Sequence, residues 1–175
     1  MKALVEQLLF LARGDNDCMK VEPEVLDLTA LAGQVLKEAA MIDEKHPYSA
    51  RWDGPVYVNA DLGLVKQALR ILTDNAAKYS AGPITLAVEW QGAQARVSVT
   101  DEGQGIPPEA LPHIFDRFYR TDESRARQTG GAGLGLAIAR WIAQRHGGWL
   151  EAVSRQGVGT RITLALPAVD PPEVG

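Results

Sequence analysis

The fold of this chain is decided by the stretch from Asp101 to Leu136, which begins Asp-Glu-Gly-Gln-Gly-Ile (Asp101–Ile106) and ends Gly-Gly-Ala-Gly-Leu-Gly-Leu (Gly130–Leu136). Between the two glycine clusters lies the segment Ile-Phe-Asp-Arg-Phe-Tyr-Arg (Ile114–Arg120). Glycines let a backbone approach a ligand closely, and a glycine cluster that opens a helix presents free N–H groups to phosphate. A carboxylate that ends an apolar strand, as Asp101 does, can accept a hydrogen bond from the amino group of a base. The two clusters therefore suggest a nucleotide held by its base at one end and by its phosphates at the other.

Composition sets the broad class of the protein. With 175 residues the chain is expected to form one domain with at most an appendage, and a hydrophobic content of 46% is ample for a core. The net charge of -4 argues against a nucleic-acid partner, which usually requires a basic face. No apolar run approaches the roughly 18–20 residues that span a bilayer. A single cysteine, Cys18, excludes an internal disulfide, and with three scattered histidines no zinc ligand set is expected.

The first residues are predicted to form a helix, Met1 to Arg13, whose apolar residues cover more than one face. A lone surface helix would not tolerate this pattern. Two interpretations are open: a terminal helix docked on the domain core, or the end of a longer bundle helix whose partners are missing. We favour the second, because Gly-Asp-Asn-Asp (Gly14–Asp17) separates the helix from the remainder of the chain as a linker would. We therefore assign residues 1–14 to the remnant of that helix and 15–27 to a linker.

Three further helices are predicted in the domain itself, which we place at residues 28–167, before a frayed tail at 168–175. Asp27 or Thr29 can cap the first of them, and His46-Pro47 ends it. The predicted helices run over about residues 29–45, 61–79 and 134–146.

Short stretches of alternating apolar and polar residues predict the strands. The first two, near residues 49–52 and 56–59, are expected to pair as a hairpin, because Asp53-Gly54 is a good hairpin turn. Helices and antiparallel hairpins alternate without a strict βαβ rhythm. This predicts an α+β fold, a two-layer sandwich in which a mixed sheet of about five strands carries three helices on one face.

The helix over residues 61–79 carries an unexpected amide. Leu64, Ala68, Ile71 and Leu72 form its buried stripe, and the next position in that stripe is Asn75. A buried amide without a partner costs roughly 1–3 kcal/mol, so Asn75 is expected either to bond a neighbouring backbone or to face a polar cavity. Lys78 and Tyr79 lie three and four residues further on, on the same side of the helix. An amide oxygen is a fair ligand for Mg²⁺, and a lysine can neutralise phosphate.

Taken together, five motifs resemble those of sensor histidine kinases. The matching segments are Asp74–Ser80 (N box), Asp101–Ile106 (first glycine box), Ile114–Arg120 (F box), Gly131–Ala139 (second glycine box) and Gly157–Thr160 (the last, short glycine box). They occur in the family order and cover roughly residues 20–167. The resemblance implies the Bergerat (GHKL, HATPase_c) ATP-binding fold, with Mg²⁺-ATP beneath a mobile lid at about residues 117–131. It also implies that residues 4–13 end the second helix of a dimerisation and phosphoacceptor domain.

The resemblance further implies a role for each matching position. Asn75 would coordinate Mg²⁺, Lys78 and Tyr79 would contact phosphate and nucleoside, and Asp101 would accept from the adenine amino group. Arg120 is the candidate for reaching the γ-phosphate, so Asn75, Lys78 and Arg120 are the predicted catalytic residues. The remaining predicted cofactor-binding positions belong to the glycine boxes: Gly103, Gly105, Ile106, Gly131, Gly133, Leu134, Gly135, Leu136 and Thr160.

One departure from the family pattern is Ile71. Many kinases of this kind carry a second asparagine there, so the metal ion is expected to have fewer protein ligands in this chain. Gyrases, heat-shock chaperones and serine kinases of the superfamily carry a glutamate general base at the same position. An isoleucine cannot accept a proton, which argues for transfer to a nucleophile that brings its own base.

A second departure is the missing phosphoacceptor. None of His46, His113 and His146 lies in an acceptor-like context, so each is expected to be structural and the chain to be a fragment. The implied partners are the dimerisation and phosphoacceptor domain of the same kinase and, through the full-length kinase, a response regulator. The fragment is expected to be monomeric and cytoplasmic, whether or not its parent is membrane-anchored. Two alternatives are an ATP-binding sensor module without transfer activity and an ATPase or serine kinase of the same superfamily.

Overall fold

The computed structural model describes residues 2–120 and 133–173, with side chains from residue 4 onward. The helices in these ranges are α1 Lys2–Asp15, α2 Leu28–Ile42, α3 Leu62–Tyr79 and α4 Gly135–Arg145, with a 3₁₀ turn at Leu111–His113. The strands are β1 Glu24–Asp27, β2 Tyr48–Arg51, β3 Tyr57–Ala60, β4 Ile84–Gln91, β5 Gln94–Asp101, β6 Trp149–Arg155 and β7 Gly159–Val169.

The strands of the described ranges form a seven-stranded sheet in the order β1-β3-β7-β5-β4-β2, with β6 also paired to β7. Strands β2 and β4 are parallel, and the other pairs are antiparallel. Helices α2, α3 and α4 contact this sheet, and their apolar residues share one core with the buried face of β5 and β7. The predicted α+β sandwich is confirmed. The described ranges contain seven strands rather than about five. Strand β1 lies inside the segment expected to be a linker, and β7 extends into the predicted tail.

The predicted hairpin between the first two strands of the domain is wrong. Strand β2 pairs in parallel with β4 at one edge of the sheet, whereas β3 pairs with β1 and β7 on the far side. The segment between them is held by the start of α2 instead, where the Thr29 hydroxyl donates to the Gly54 carbonyl (2.9 Å) and the Leu28 N–H donates to the Val56 carbonyl (2.7 Å). The Asp53-Gly54 turn thus crosses the helix N-terminus rather than closing a hairpin.

Helix α1 docks on the domain through its C-terminal half. Leu11 is buried, and Phe10 makes an edge-to-face contact with Trp141 of α4 at 5.3 Å between ring centroids. Asp15 at the end of α1 accepts two hydrogen bonds from the Arg117 guanidinium, at 2.7 and 2.8 Å. The docked interpretation therefore describes α1 in this structure, and its assignment to a longer bundle helix stays a prediction. Within residues 2–120 and 133–173, no helix is both long and apolar enough to cross a membrane.

All three histidines have polar partners elsewhere in the domain. His46 bonds the Asp43 carboxylate and the Ser80 carbonyl at the end of α3 (2.6 Å). His146 Nδ1 donates to the Ile142 carbonyl at 2.7 Å, and His113 contacts Asp116 at 3.2 Å. These contacts agree with the structural role expected for all three.

Asp61 connects the start of α3 to the rest of the domain. Its carboxylate caps the helix by accepting from the Leu64 N–H at 3.1 Å and also accepts from the Glu22 N–H at 2.9 Å. Its own N–H donates to Nε2 of His146 at 3.1 Å. Partial burial raises the pKa of Asp61, but the backbone N–H groups of Glu22, Leu64 and Gly63 outweigh burial and hold the pKa below its usual value. The cap therefore positions the helix that carries Asn75.

Replacing this cap is expected to destabilise the domain. Asp61→Ala should lower the free energy of unfolding by about 0.5–2 kcal/mol, the range for lost N-caps, measured by urea unfolding at neutral pH. Asp61→Asn keeps an oxygen acceptor and should lose less. Because the folded pKa is depressed, the stabilisation by the ionised carboxylate is present at neutral pH and is lost as pH falls through that pKa. A difference between wild type and Asp61→Asn that grew on acidification would contradict this assignment.

Candidate functional site

A cleft opens between α3, the loop after β5 and the start of α4. The residues that line it are Gln7, Ile71, Asp74, Asn75, Lys78, Tyr79, Asp101, Gln104, Gly105, Ile106, Pro107, Ile114, Tyr119, Arg120, Gly133, Leu134, Gly135, Leu136 and Thr160. Its lining includes a buried carboxylate, the N-terminus of a helix and, as one wall, the polar face of α3. These three features are built by distant parts of the chain.

Asp101 is the buried carboxylate. It ends β5 opposite Thr160 of β7, and only 6% of its surface is exposed. The Gly103 N–H donates to its Oδ1 at 2.9 Å. Burial raises the pKa of Asp101, while the N–H groups of Gly103 and Thr160 act in the opposite direction. The Gly103 N–H thus holds Oδ1, and the carboxylate keeps further lone pairs for a ligand in the cleft.

The loop after β5 passes very close to the turn between β6 and β7. Gly105 has φ +77°, and a Cβ at this position would lie 2.3 Å from the Arg155 carbonyl oxygen. Two further bonds hold the same contact: the Gly157 N–H donates to the Gln104 carbonyl at 2.8 Å, and the Ile106 N–H donates to Ser154 Oγ at 2.7 Å. Only a glycine fits at position 105, so this contact braces the loop. Residues Gln104, Gly105 and Ile106 of the same loop line the cleft.

Helix α3 supplies the polar wall. Asn75 is half-buried and lines the cleft, and no described residue bonds its side chain, so the polar-cavity alternative holds. Lys78 is exposed beside it. Partial desolvation raises the pKa of Asp74 against the opposing charges of Lys78 and Arg70. The wall therefore combines an amide oxygen, a cation and a carboxylate within one helical turn.

The N-terminus of α4 also lines the cleft. Leu134 occupies the N-cap position without a capping side chain from the described residues, so the first N–H groups of the helix are available to a ligand. Gly133 before it has φ +80°. Gly135 lies against Ile71, because a Cβ on Gly135 would be 3.3 Å from Cγ2 of that isoleucine. An uncapped helix start of this kind favours a negative charge.

The structure brings most of the predicted site residues into the cleft. Gly103 is an exception: it lies behind the cleft, where its N–H holds Asp101 and a Cβ would be 2.3 Å from the Tyr79 carbonyl oxygen. Gly131 lies outside the described residues. Apart from Ile71, five lining residues in or next to the predicted motifs were missed as site residues, namely Asp74, Gln104, Pro107, Ile114 and Tyr119. Their membership of the motifs, or for Pro107 its position after Ile106, was the available signal. Gln7 of α1 lines the cleft only through tertiary packing.

The donor set at the cleft is oxygen-based and sparse. Among the described residues, no group of three or more His, Cys, Asp and Glu side chains could hold a metal ion. The Asn75 amide, which no residue of the described ranges bonds, is an oxygen ligand of the kind that Mg²⁺ accepts when phosphates and waters complete its shell. The site thus fits a magnesium ion that arrives with a phosphate ligand, rather than one held by protein alone.

An α+β sandwich whose cleft combines a buried carboxylate with a helix start that no described side chain caps has the parts that a nucleotide site needs. Comparisons specify it further. The family described as histidine kinase-, DNA gyrase B- and HSP90-like ATPase matches residues 60–170. Sensor histidine kinase YkoH of Bacillus subtilis (strain 168) is 42% identical over 164 residues, which cover 94% of this chain and 36% of that protein.

Solved structures agree with this assignment. Full-length ShkA in complex with AMPPNP has a TM-score of 0.82 at 26% identity, over 98% of this chain and 36% of that one. The mycobacterial sensor histidine kinase MprB has a TM-score of 0.73 at 28% identity, over 84% and 98%. The chain belongs to the histidine kinase-, DNA gyrase B- and HSP90-like ATPases and, among them, to the catalytic ATP-binding domains of sensor histidine kinases. It spans about a third of the length of the curated relatives it matches.

The close contact at Gly105 can be tested against a matched glycine. Gly92 in the β4–β5 turn also has positive φ (+62°), but a Cβ there would meet nothing within 4 Å. Gly92→Ala should cost only the backbone strain of about 1–2 kcal/mol. Gly105→Ala should cost about 1–3 kcal/mol more from overpacking and should also weaken nucleotide binding. Equal melting temperatures and nucleotide affinities for the two variants, by calorimetry, would refute the bracing contact.

Proposed function

We propose that this chain binds Mg²⁺-ATP in the cleft and, within a full-length kinase, transfers the γ-phosphoryl group to a histidine of the dimerisation domain. The observation that supports it most is that the buried Asp101 carboxylate and the start of α4, which no described side chain caps, line one cleft. A carboxylate recognises an amino group, and a helix start recognises phosphate. A purine nucleotide with an exocyclic amino group carries both.

Asp101 selects the base in this proposal. Its ionised form only accepts hydrogen bonds, so it favours adenine, which presents an amino group, over guanine, which presents a carbonyl at the same place. A hydrogen bond to a charged group contributes about 1.5–3 kcal/mol, equivalent to roughly 10- to 150-fold in affinity. Because Asp101 is buried, water competes little with the base for this hydrogen bond.

The phosphates lie towards α4 and the polar wall of α3. Asn75 ligates Mg²⁺, Lys78 neutralises phosphate oxygens, and Arg120 reaches the γ-phosphoryl group, which suits a transfer that depends on positioning and charge stabilisation. The complex of full-length ShkA with AMPPNP supports nucleotide binding by this fold. Bound Mg²⁺ would neutralise charge on the β- and γ-phosphates.

Ile71 bears on the acceptor. It packs against Gly135 at the start of α4, so the position where an ATPase needs a proton acceptor is hydrocarbon. Hydrolysis or serine phosphorylation would need such a base. A histidine nucleophile of a separate domain, the partner we propose, attacks through its own lone pair. A response regulator then receives the phosphoryl group in the full-length protein.

Base selection is tested by Asp101→Asn. The amide cannot serve as the same charged acceptor, so ATP affinity should fall at least 10-fold in calorimetry, whereas Asp53→Asn on the exposed turn should leave it unchanged. Burial raises the pKa of Asp101. On acidification, the ATP affinity of the wild type should therefore begin to fall at a higher pH than it would if this aspartate had its usual pKa. Equal ATP binding by wild type and Asp101→Asn would remove Asp101 from the site.

Transfer is tested by adding a separate dimerisation segment that carries the acceptor histidine. With labelled ATP and Mg²⁺, the segment should acquire an acid-labile, base-stable phosphoryl group, and this chain alone should acquire none. Asn75→Ala should slow transfer on the order of 100-fold, with Asn59→Ala, at an exposed position of β3, as the control. Nucleotide binding without transfer would favour the sensor-module alternative. Multiple-turnover phosphate release by this chain alone would favour an ATPase.

A further inference from the structure

Three side chains form a row across the sheet where Asp101 and Thr160 line the cleft. In the strand register, Asp101 of β5 lies opposite Thr160 of β7, and Thr160 lies opposite Ser154 of β6. Asp101 and Thr160 are buried, at 6% and 7% exposure, and both line the cleft. Ser154 lies one strand further back. A ligand in the cleft therefore meets Thr160, and Thr160 in turn meets Ser154.

The Ser154 hydroxyl has three polar neighbours. It accepts from the Ile106 N–H at 2.7 Å, lies 2.9 Å from Oγ1 of Thr160, and lies 3.1 Å from the Gly159 carbonyl oxygen. A hydroxyl carries one proton and two lone pairs. Ser154 can therefore donate either to Gly159 or to Thr160, and when it donates to Gly159 it still has a lone pair for the Thr160 proton.

This choice reverses what Thr160 offers to a ligand. Within the described residues, Ser154 is the hydrogen-bond partner of the Thr160 hydroxyl. When Ser154 donates to Thr160, the Thr160 proton is directed into the cleft as a donor. When Ser154 donates to Gly159, the Thr160 proton turns to Ser154, and Thr160 presents a lone pair to the cleft. Both arrangements satisfy the two hydroxyl protons.

We propose that Ser154 is a positioning residue that lets Thr160 act as either donor or acceptor towards ring atom N1 of a purine, so that base selectivity resides in Asp101. This inference rests on the proposed function, with the amino group of adenine on Asp101. The ring nitrogen next to the carbon that bears this amino group is N1, an acceptor, and Thr160 donates to it. In hypoxanthine the amino group is replaced by a carbonyl and N1 carries a proton, so both polarities are reversed.

The consequence is that one substitution should exchange the preferred base. In Asp101→Asn, the backbone N–H groups that hold Asp101 from behind would hold the amide oxygen and leave the amide NH₂ facing the ligand. That group matches the carbonyl of hypoxanthine. Thr160 must then accept from N1–H, which it can do without stranding its own proton only if Ser154 receives that proton.

The experiment measures binding of ADP and inosine diphosphate (IDP) by calorimetry, each with Mg²⁺. Wild type should prefer ADP by roughly 10- to 100-fold, and Asp101→Asn should prefer IDP. Ser154→Ala also removes the acceptor for the Ile106 N–H, so it should lower the affinities for ADP and IDP by a common factor. In Asp101→Asn/Ser154→Ala, the affinity for IDP should fall about 10-fold beyond that factor. Asp101→Asn/Ser154→Thr keeps the hydroxyl and should restore this additional 10-fold.

The outcomes separate the two proposals. Failure of wild type to bind ADP would overturn the proposed function itself. ADP binding with no gain for IDP in Asp101→Asn would overturn the assignment of selectivity to Asp101 alone. If Ser154→Ala weakens ADP and IDP equally in both backgrounds, Ser154 only fastens the Ile106 loop, and the positioning role is wrong. Thermal melts of all variants establish that each is folded at the binding temperature.

Discussion

The buried carboxylate of Asp101 is the group on which the architecture of the cleft depends. A carboxylate with 6% exposure is tolerated only where hydrogen bonds replace the water it has lost. The N–H groups of Gly103 and Thr160 supply that replacement, and both come from backbone that must run close to the end of β5. The glycines after Asp101 and the register of β7 meet this need. Hence the group that can read a base also dictates how the surrounding loops pack.

Helix α3 shows how one element can serve both packing and chemistry. Its buried stripe of Leu64, Ala68 and Leu72 joins the core, and the stripe continues into the half-buried Asn75 at the cleft. Ile71 packs against the core and also lines the cleft, where it contacts Gly135 at the start of α4. That contact couples the amide wall to the helix start that faces the phosphates. A polar residue at position 71 would lose this packing, which gives the departure from the family pattern a physical role.

Much of the fold could be predicted because its signals are local. Asp61 caps α3 as its position before an apolar-periodic segment suggests, and β4 and β5 have the alternating patterns expected of strands. The hairpin across Asp53-Gly54 failed because its turn chemistry is compatible with more than one path. Hydrogen bonds from Leu28 and Thr29 to the carbonyls of Val56 and Gly54 hold this segment against the N-terminus of α2 instead. Strand β1 was missed because four residues at a sheet edge carry too little periodicity to be distinguished from a linker.

The sequence by itself determined the class of the domain, since the N box, the glycine boxes and the F box are contiguous patterns that need no contacts to be recognised. It also identified Asn75 and Asp101, because each is a polar residue where an apolar pattern should continue. Only the tertiary structure decided that Ser154 meets Thr160, that Gln7 of α1 reaches the cleft and that β2 and β3 lie far apart. These depend on strand register and helix docking, which arise from long-range pairing and leave no periodic trace in the local sequence.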